Sequence, residues 1–236
     1  MPVGDERQWL ESRAALIADS LLKMKPDVFG VGRKDIVNGV PFLLGLMDKY
    51  DLPLISSNIV LDNGKHPFPR AKIIDWRGKK VAVIGLTYPM PERDRSLGIR
   101  VEGWEESARR TLDLVKGADI VVALSDLGFD DEHELARRVP GINIIIGGGQ
   151  GQRLLPDPSR VGDTLILRAS DRGRQIGELN IAGASLSGGW RLPVAPYQVD
   201  STRAELEKAR LALDAEKKKP SPSSAEVERL GKGVEI

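Results

Sequence analysis

Three short stretches of the sequence carry side chains with chemical potential: Gly32-Arg33-Lys34-Asp35, Ser125-Asp126, and the glycine run Gly147-Gly148-Gly149-Gln150-Gly151. Arg33 offers a planar fork that grips a carboxylate or phosphate through paired hydrogen bonds, and Lys34 offers a compact point charge. Together they could hold an anion, or they could pair with Asp35 and Asp126 and fill the space between the loops. The two carboxylates could instead share one Mg²⁺ with waters, because that ion asks for only one or two protein carboxylates. Backbone N–H groups of the glycine run, including Gly148 and Gly149, could face an anion as nests do, or the run could be a permissive turn after a strand. It is no P-loop, since no Gly-Lys-Ser/Thr follows, and no dinucleotide fingerprint, since Gln152 stands where the third glycine belongs.

The histidines number two, His66 in Lys65-His-Pro-Phe-Pro69 and His133 in Asp130-Asp-Glu-His-Glu134. A cation site of Asp130, Asp131 and His133 competes with a plainer reading, in which acidic residues in a first helical turn answer the helix dipole. No Ser-His-Asp set can be assembled around either histidine, for want of a Gly-x-Ser-x-Gly turn. With no cysteine, disulfides, thiolate zinc and a Cys nucleophile are excluded, and any metal centre must rest mainly on oxygen ligands.

The elements that must position these stretches follow from periodicity. Leu10, Ala14, Ile17, Leu21 and Met24 mark one face of a helix ending before Pro26. A short strand over 27–31 leads into the loop Gly32 to Gly39, and Pro41 suits the first turn of the next helix. Strands are expected at 54–57, 71–76 and 80–86, the last two as a hairpin through Arg77-Gly78. A helix over 102–116 precedes the run 118–124, apolar but for Asp119, the signature of a strand covered on both faces. A helix over 132–139 and a strand over 142–146 follow, then a meander of 164–169 with 175–181 and a further edge at 190–193. Alternating helix and strand argues for an α/β layered domain with a partly parallel sheet. In such sheets the site lies at the carboxyl ends of the strands, where all three loops fall.

The 236 residues, with 35 Lys+Arg against 34 Asp+Glu, suggest one large domain, 1–200, and an exposed charged helix with a disordered tail, 201–236. The balanced charge leaves no footprint for nucleic acid. No apolar run approaches the roughly 20 residues that span a bilayer, and the start, Met-Pro-Val-Gly-Asp-Glu-Arg, lacks a signal-peptide core. The chain as given therefore reads as cytoplasmic, or as belonging to the cell envelope if an upstream segment is missing.

The same loops, in the same order, resemble the calcineurin-like metallophosphoesterase superfamily, specifically the catalytic domain of the bacterial 5'-nucleotidase family. Its Gly-Asn-His-Glu-Phe-Asp-x-Gly loop is matched by Gly32-Arg-Lys-Asp-Ile-Val-Asn-Gly39, and its Leu-Ser-His-Leu-Gly by Leu124-Ser-Asp-Leu-Gly128. Leu54-Ile-Ser-Ser-Asn-Ile59 and Gly78-Lys-Lys-Val-Ala-Val-Ile-Gly-Leu-Thr87 are similar to family strands, and Ile145-Ile-Gly-Gly-Gly-Gln-Gly151 to Ile-Ile-Gly-Gly-His-Ser-His. The resemblance covers about residues 14 to 185. It implies an αββα sandwich of four layers, here without the family's N-terminal strand.

It also implies two divalent metals, such as Mn, Zn or Mg, activating water for attack on a phosphate ester. Those ligands are replaced here. The bridging Asn position is Arg33, the catalytic His position is Lys34, a His ligand position is Asp126, and the two histidines of the last loop are Gly149 and Gly151. A guanidinium about 4 Å from a dication costs roughly 8 kcal/mol at an effective dielectric of about 20, and arginine cannot escape by losing its proton. The expectation is therefore no metal cofactor and a catalytically inactive domain that binds a small anionic ligand or a protein partner through the inherited cleft. The alternatives are an active phosphoesterase working through Asp35 and Asp126 or a missing upstream segment, and an interaction module using the helix over 202–219. Asn58 is expected as a strand-end hydrogen bonder, and Tyr88 either stacks on a base or joins the core.

Overall fold

The strand read over 118–124 is β7 (Ile120–Ser125), a central strand of a six-stranded sheet. The computed structural model describes residues 4–148, 158–169, 177–181 and eight positions between 207 and 217. Its elements before β7 are α1 (Gly4–Lys23), β1 (Phe29–Gly30), α2 (Val40–Tyr50), β2 (Leu54–Ile55), β3 (Ile59–Leu61), β4 (Ala71–Trp76), β5 (Lys79–Leu86), α3 (Pro91–Ser96), β6 (Ile99–Val101) and α4 (Trp104–Leu114). After β7 come α5 (Phe129–Arg138), β8 (Ile144–Gly147), β9 (Ser159–Val161) and β10 (Thr164–Arg168).

The large sheet runs β4-β5-β7-β8-β10-β9. Its four inner strands are parallel neighbours, Val83 lying beside Val122 and Ala123 beside Ile145, while β4 and β9 are antiparallel edges. On one face Ile84, Leu86, Ala123, Ile145 and Ile166 pack against Ala108 of α4 and Leu135 and Ala136 of α5. The other face meets the small parallel pair β1-β2. The layers approach so closely that a Cβ on Gly85 would lie 2.8 Å from the Ile55 carbonyl oxygen, and one on Gly30 2.9 Å from Leu124 Cβ. Outside β1-β2, α1 and α2 close a second core with Val31, Leu43, Leu54, Ile59 and Ile99. The order helix, sheet, sheet, helix is the layered α/β fold the motifs imply, with β1-β2 as the inner small sheet and β3-β6 as a further antiparallel pair.

Several elements differ from their sequence reading. The buried side of α1 runs through Ala18, with Ala14, Leu21 and Leu22 half-buried, while Ile17 and Met24 are 50% and 67% exposed. Leu10, Ala14 and Leu21 thus keep the predicted face, and Ala18 between them is its most buried residue, where α1 packs on α2. Gly4 and Asp5 are the first residues of this helix. The antiparallel partner of β10 is β9, through a turn with Gly162 at φ 57°, and residues 177–181 form no strand. Residues 175 and 176 and the expected edge at 190–193 lie outside the described residues. The two three-residue strands β3 and β6 have no counterpart in the sequence reading, because so short a run carries no period.

The chain divides into two compact units, Met1–Trp190 and Arg191–Ile236. The described positions of the second, between 207 and 217, are helical and exposed. Among the described residues no helix is long and apolar enough to cross a membrane.

Candidate functional site

The carboxyl ends of β1, β7 and β8 meet at a cleft of about 430 Å³ lined by Gly30, Lys34, Asp35, Ser125, Asp126 and Gly148, with Phe29, Leu124 and Ile146 among its apolar walls. Three loops distant in sequence thus converge, as strand order requires. Their register is held by buried polar bonds. Asn58, fully buried, donates through Nδ2 to the carbonyls of Thr87 and Glu102 at 2.8 and 3.0 Å, and accepts from Thr87 N at 2.9 Å. Thr87 Oγ1 then donates to Val31 O at 2.6 Å, fixing the end of β1 against the end of β5. Each of these buried groups is satisfied, which makes the junction stiff. Gly39, at φ 87°, turns the first loop into α2, a conformation that strains any residue with a Cβ.

Arg33 and Asp126 grip one another across the cleft's inner wall. Asp126 Oδ2 accepts from the Arg33 backbone N at 2.8 Å and from Nε at 3.0 Å, and Arg33 Nη2 donates to Asp126 O at 2.6 Å. The guanidinium carbon lies 4.6 Å from the Tyr88 ring centroid, within the range of a cation–π contact. Both side chains of the pair are 18% exposed. Arg33 is not among the residues lining the cleft, and of its two expected roles the structure shows the pairing with a carboxylate, that of Asp126. Tyr88 joins the core, as one of its two expected roles had it, packing against the cluster that holds Ile84, Leu86 and Ala108, and its ring also carries the guanidinium. Lys34 does line the cleft and is exposed.

Asp35 joins Asp126 at Gly32: a Cβ there would stand 3.5 Å from both Asp35 Oδ2 and Asp126 Oδ1. Asp35 Oδ2 accepts from Gly32 N at 2.8 Å. Although the residue as a whole is open to solvent, burial of its carboxyl in the cleft raises its pKa, the Asp126 charge adds to this, and the Gly32 N–H opposes it. A carboxyl whose pKa is higher in the folded than in the unfolded state stabilises the fold below the ordinary carboxylate range. That contribution is lost as pH rises through the raised value. Asp35→Asn, which keeps an acceptor for Gly32 N, is therefore expected to melt at a higher temperature than wild type at neutral pH and to lose the advantage below about pH 4. Equal melting temperatures at neutral pH would show that the carboxylate carries no such cost.

Gly148 N donates to Ser125 O at 2.7 Å, so this N–H is committed to the backbone rather than offered to an anion. Gly149 and Gly151 lie outside the described residues. His133 is not part of a cation site: its Nδ1 lies 2.8 Å from Phe129 O, its Nε2 3.1 Å from Ser159 Oγ, and its ring packs on Phe129. The acidic first turn of α5, with Arg137 and Arg138 in the last, suits the dipole. His66 sits away from the cleft, its pKa lowered by burial and then by Arg70. Among the described residues no three His, Asp or Glu side chains come together to hold a metal ion. The donor set fits a dinuclear centre poorly, since a permanent cation occupies Asp126 Oδ2.

One pair escaped the sequence reading. Glu132 is fully buried on α5 and accepts from Arg168 Nε and Nη2 at 2.8 and 2.6 Å, Arg168 being 7% exposed. The pair presses on Gly147, where a Cβ would stand 2.6 Å from both carboxylate oxygens, so it props the cleft floor at the end of β8. Burial pushes the Glu132 carboxyl up against the pull of Arg168. The sequence signal for it was an acidic residue on the apolar side of α5, hidden among its acidic neighbours.

No protein-family model matches the sequence. Over 143 residues the chain is 34% identical to the uncharacterized metallophosphoesterase YunD of Bacillus subtilis, covering 59% of this chain and 31% of that one. Over 170 residues it is 26% identical to a snake venom 5'-nucleotidase of Crotalus adamanteus, covering 65% and 29%. The chain thus spans less than a third of these curated relatives. Among solved structures it is similar to the 5'-nucleotidase precursor of Thermus thermophilus, with TM-score 0.55 and 22% identity over 66% of this chain and 36% of that one. It is also similar to the calcineurin-like phosphoesterase YfkN of Bacillus subtilis, with TM-score 0.52 and 24% identity over 56% and 47%; at these identities the likeness is one of fold. The relatives and structural neighbours of this chain are thus metallophosphoesterases and 5'-nucleotidases, the classes that its loop motifs resemble.

Proposed function

We propose that this chain is a metallophosphoesterase-like domain that has given up two-metal hydrolysis and uses the remaining cleft to bind a small polar ligand. The observation that carries this reading is the double hydrogen bond of Arg33 N and Nε to Asp126 Oδ2. It joins two family metal-ligand positions to each other, takes up Asp126 Oδ2 and sets a permanent positive charge beside the remaining carboxylate oxygen. The lining also shifts the ligand's chemistry away from a simple anion. Asp35 and Asp126 are acceptors for ligand hydroxyl or amine groups, Lys34 is a donor for one ligand oxygen, and Leu124 and Ile146 give an apolar wall.

A second reading, hydrolysis through a reduced carboxylate site, is favoured by the convergence of Asp35 and Asp126 on Gly32. One experiment separates the two: turnover of a phosphodiester and of a 5'-nucleotide by the purified chain with Mn²⁺, against EDTA and against the Asp35→Ala/Asp126→Ala variant. No metal-dependent turnover is expected. Turnover that EDTA and the double variant both abolish would overturn the proposal in favour of the carboxylate site.

A further inference from the structure

A metal that bridges two loops contributes positive charge directed at carboxylate oxygens, and a guanidinium can deliver the same charge through fixed N–H donors. Arg33 does so here. Its backbone N and Nε share Asp126 Oδ2, its Nη2 reaches the Asp126 carbonyl, and Tyr88 supports its face. These contacts tie the loop after β1 to the carboxyl end of β7, 93 residues away. Asp35 brings a second carboxylate to the same spot from the Arg33 loop itself, so without the guanidinium two like charges would face one another across the junction.

We propose that the Arg33 guanidinium is a built-in cation that fastens these two loops in place of a metal and closes their junction to divalent ions. The proposal rests on reading the cleft as a converted metal site. Because arginine stays protonated across the accessible pH range, the fastening is permanent and indifferent to chelators, unlike one made by an exchangeable ion.

The test is thermal melting of the full chain in EDTA and in Mn²⁺ alone. Wild type is expected to melt at the same temperature in both. Arg33→Met, which keeps the stem and removes the charge, is expected to melt on the order of 5 °C or more lower in EDTA. Part of that loss should return with Mn²⁺, and the return should vanish in Arg33→Met/Asp126→Asn. If Arg33→Met does not fold, Arg33→Lys serves instead: it keeps the charge without the fork, and a modest loss with no Mn²⁺ response is expected. A Mn²⁺-dependent rise in wild type or in Arg33→Lys would overturn the proposal. So would an Arg33→Met protein as stable as wild type, or one destabilised but unmoved by Mn²⁺, which would reduce Arg33 to an ordinary ion pair. Phosphate-ester turnover that persists in EDTA, by a wild type whose melting ignores Mn²⁺, would remove the functional reading and leave the role of Arg33 standing.

Discussion

Glu132→Ala is expected to lower the stability of the first unit by about 3–5 kcal/mol, the range for removing one partner of a buried ion pair. Glu132 is fully buried and Arg168 nearly so, and the carboxylate accepts two of the guanidinium's N–H groups. Removing it takes the carboxylate away from a desolvated positive charge under the cleft floor. Rehydrating that charge means opening the ends of β8 and β10, where Gly147 and Arg168 lie side by side. Glu132→Gln, which retains an acceptor but not the charge, should lose less, and adding Arg168→Met to Glu132→Ala should recover part of the loss. Urea denaturation checks all three, and a Glu132→Ala loss under about 1 kcal/mol would show that the pair is already well solvated.

Gly85→Ala is expected to cost about 2–3 kcal/mol, at the upper end of overpacking. The added methyl would lie 2.8 Å from the Ile55 carbonyl oxygen and 3.2 Å from its carbon. Both are backbone atoms of β2, so no side chain can swing aside and the two sheets must part. Parting them strains the Ser57 N–H bond to Gly85 O, 2.7 Å long, and with it the junction that holds the first loop. Gly45→Ala is the matched control. Gly45 is exposed within α2 with nothing within 4 Å of its added Cβ, so that change should stabilise by roughly 0.5–1 kcal/mol through helix propensity. Equal effects at the two positions would show that the layers are not in contact at Gly85.

The run that became β7 was legible because a parallel strand covered on both faces is apolar along most of its length, and β5 was legible as one arm of the hairpin through Arg77-Gly78. The order of the strands brings the ends of β1, β7 and β8 together, so the position of the cleft between Gly32, Asp126 and Gly148 could be expected from the sequence. That Arg33, Gly149 and Gly151 offer no side-chain oxygen or imidazole ligand is a matter of residue type and can be read from the sequence alone. What Arg33 does with its charge was open between gripping an anion and pairing with a carboxylate. A distance of 93 residues separates it from Asp126, and no local pattern encodes which way a long flexible side chain turns. Only the packed loops decided it, by setting Asp126 on one side of the guanidinium and Tyr88 against its face. The same holds for Glu132 and Arg168, whose partnership exists only where α5 crosses the end of β10, and for the edge strand β9, at three residues too short to announce itself. Residue type and periodicity are local properties and survive in the sequence. Pairing across layers depends on which surfaces the fold brings together, and the tertiary structure alone supplied it.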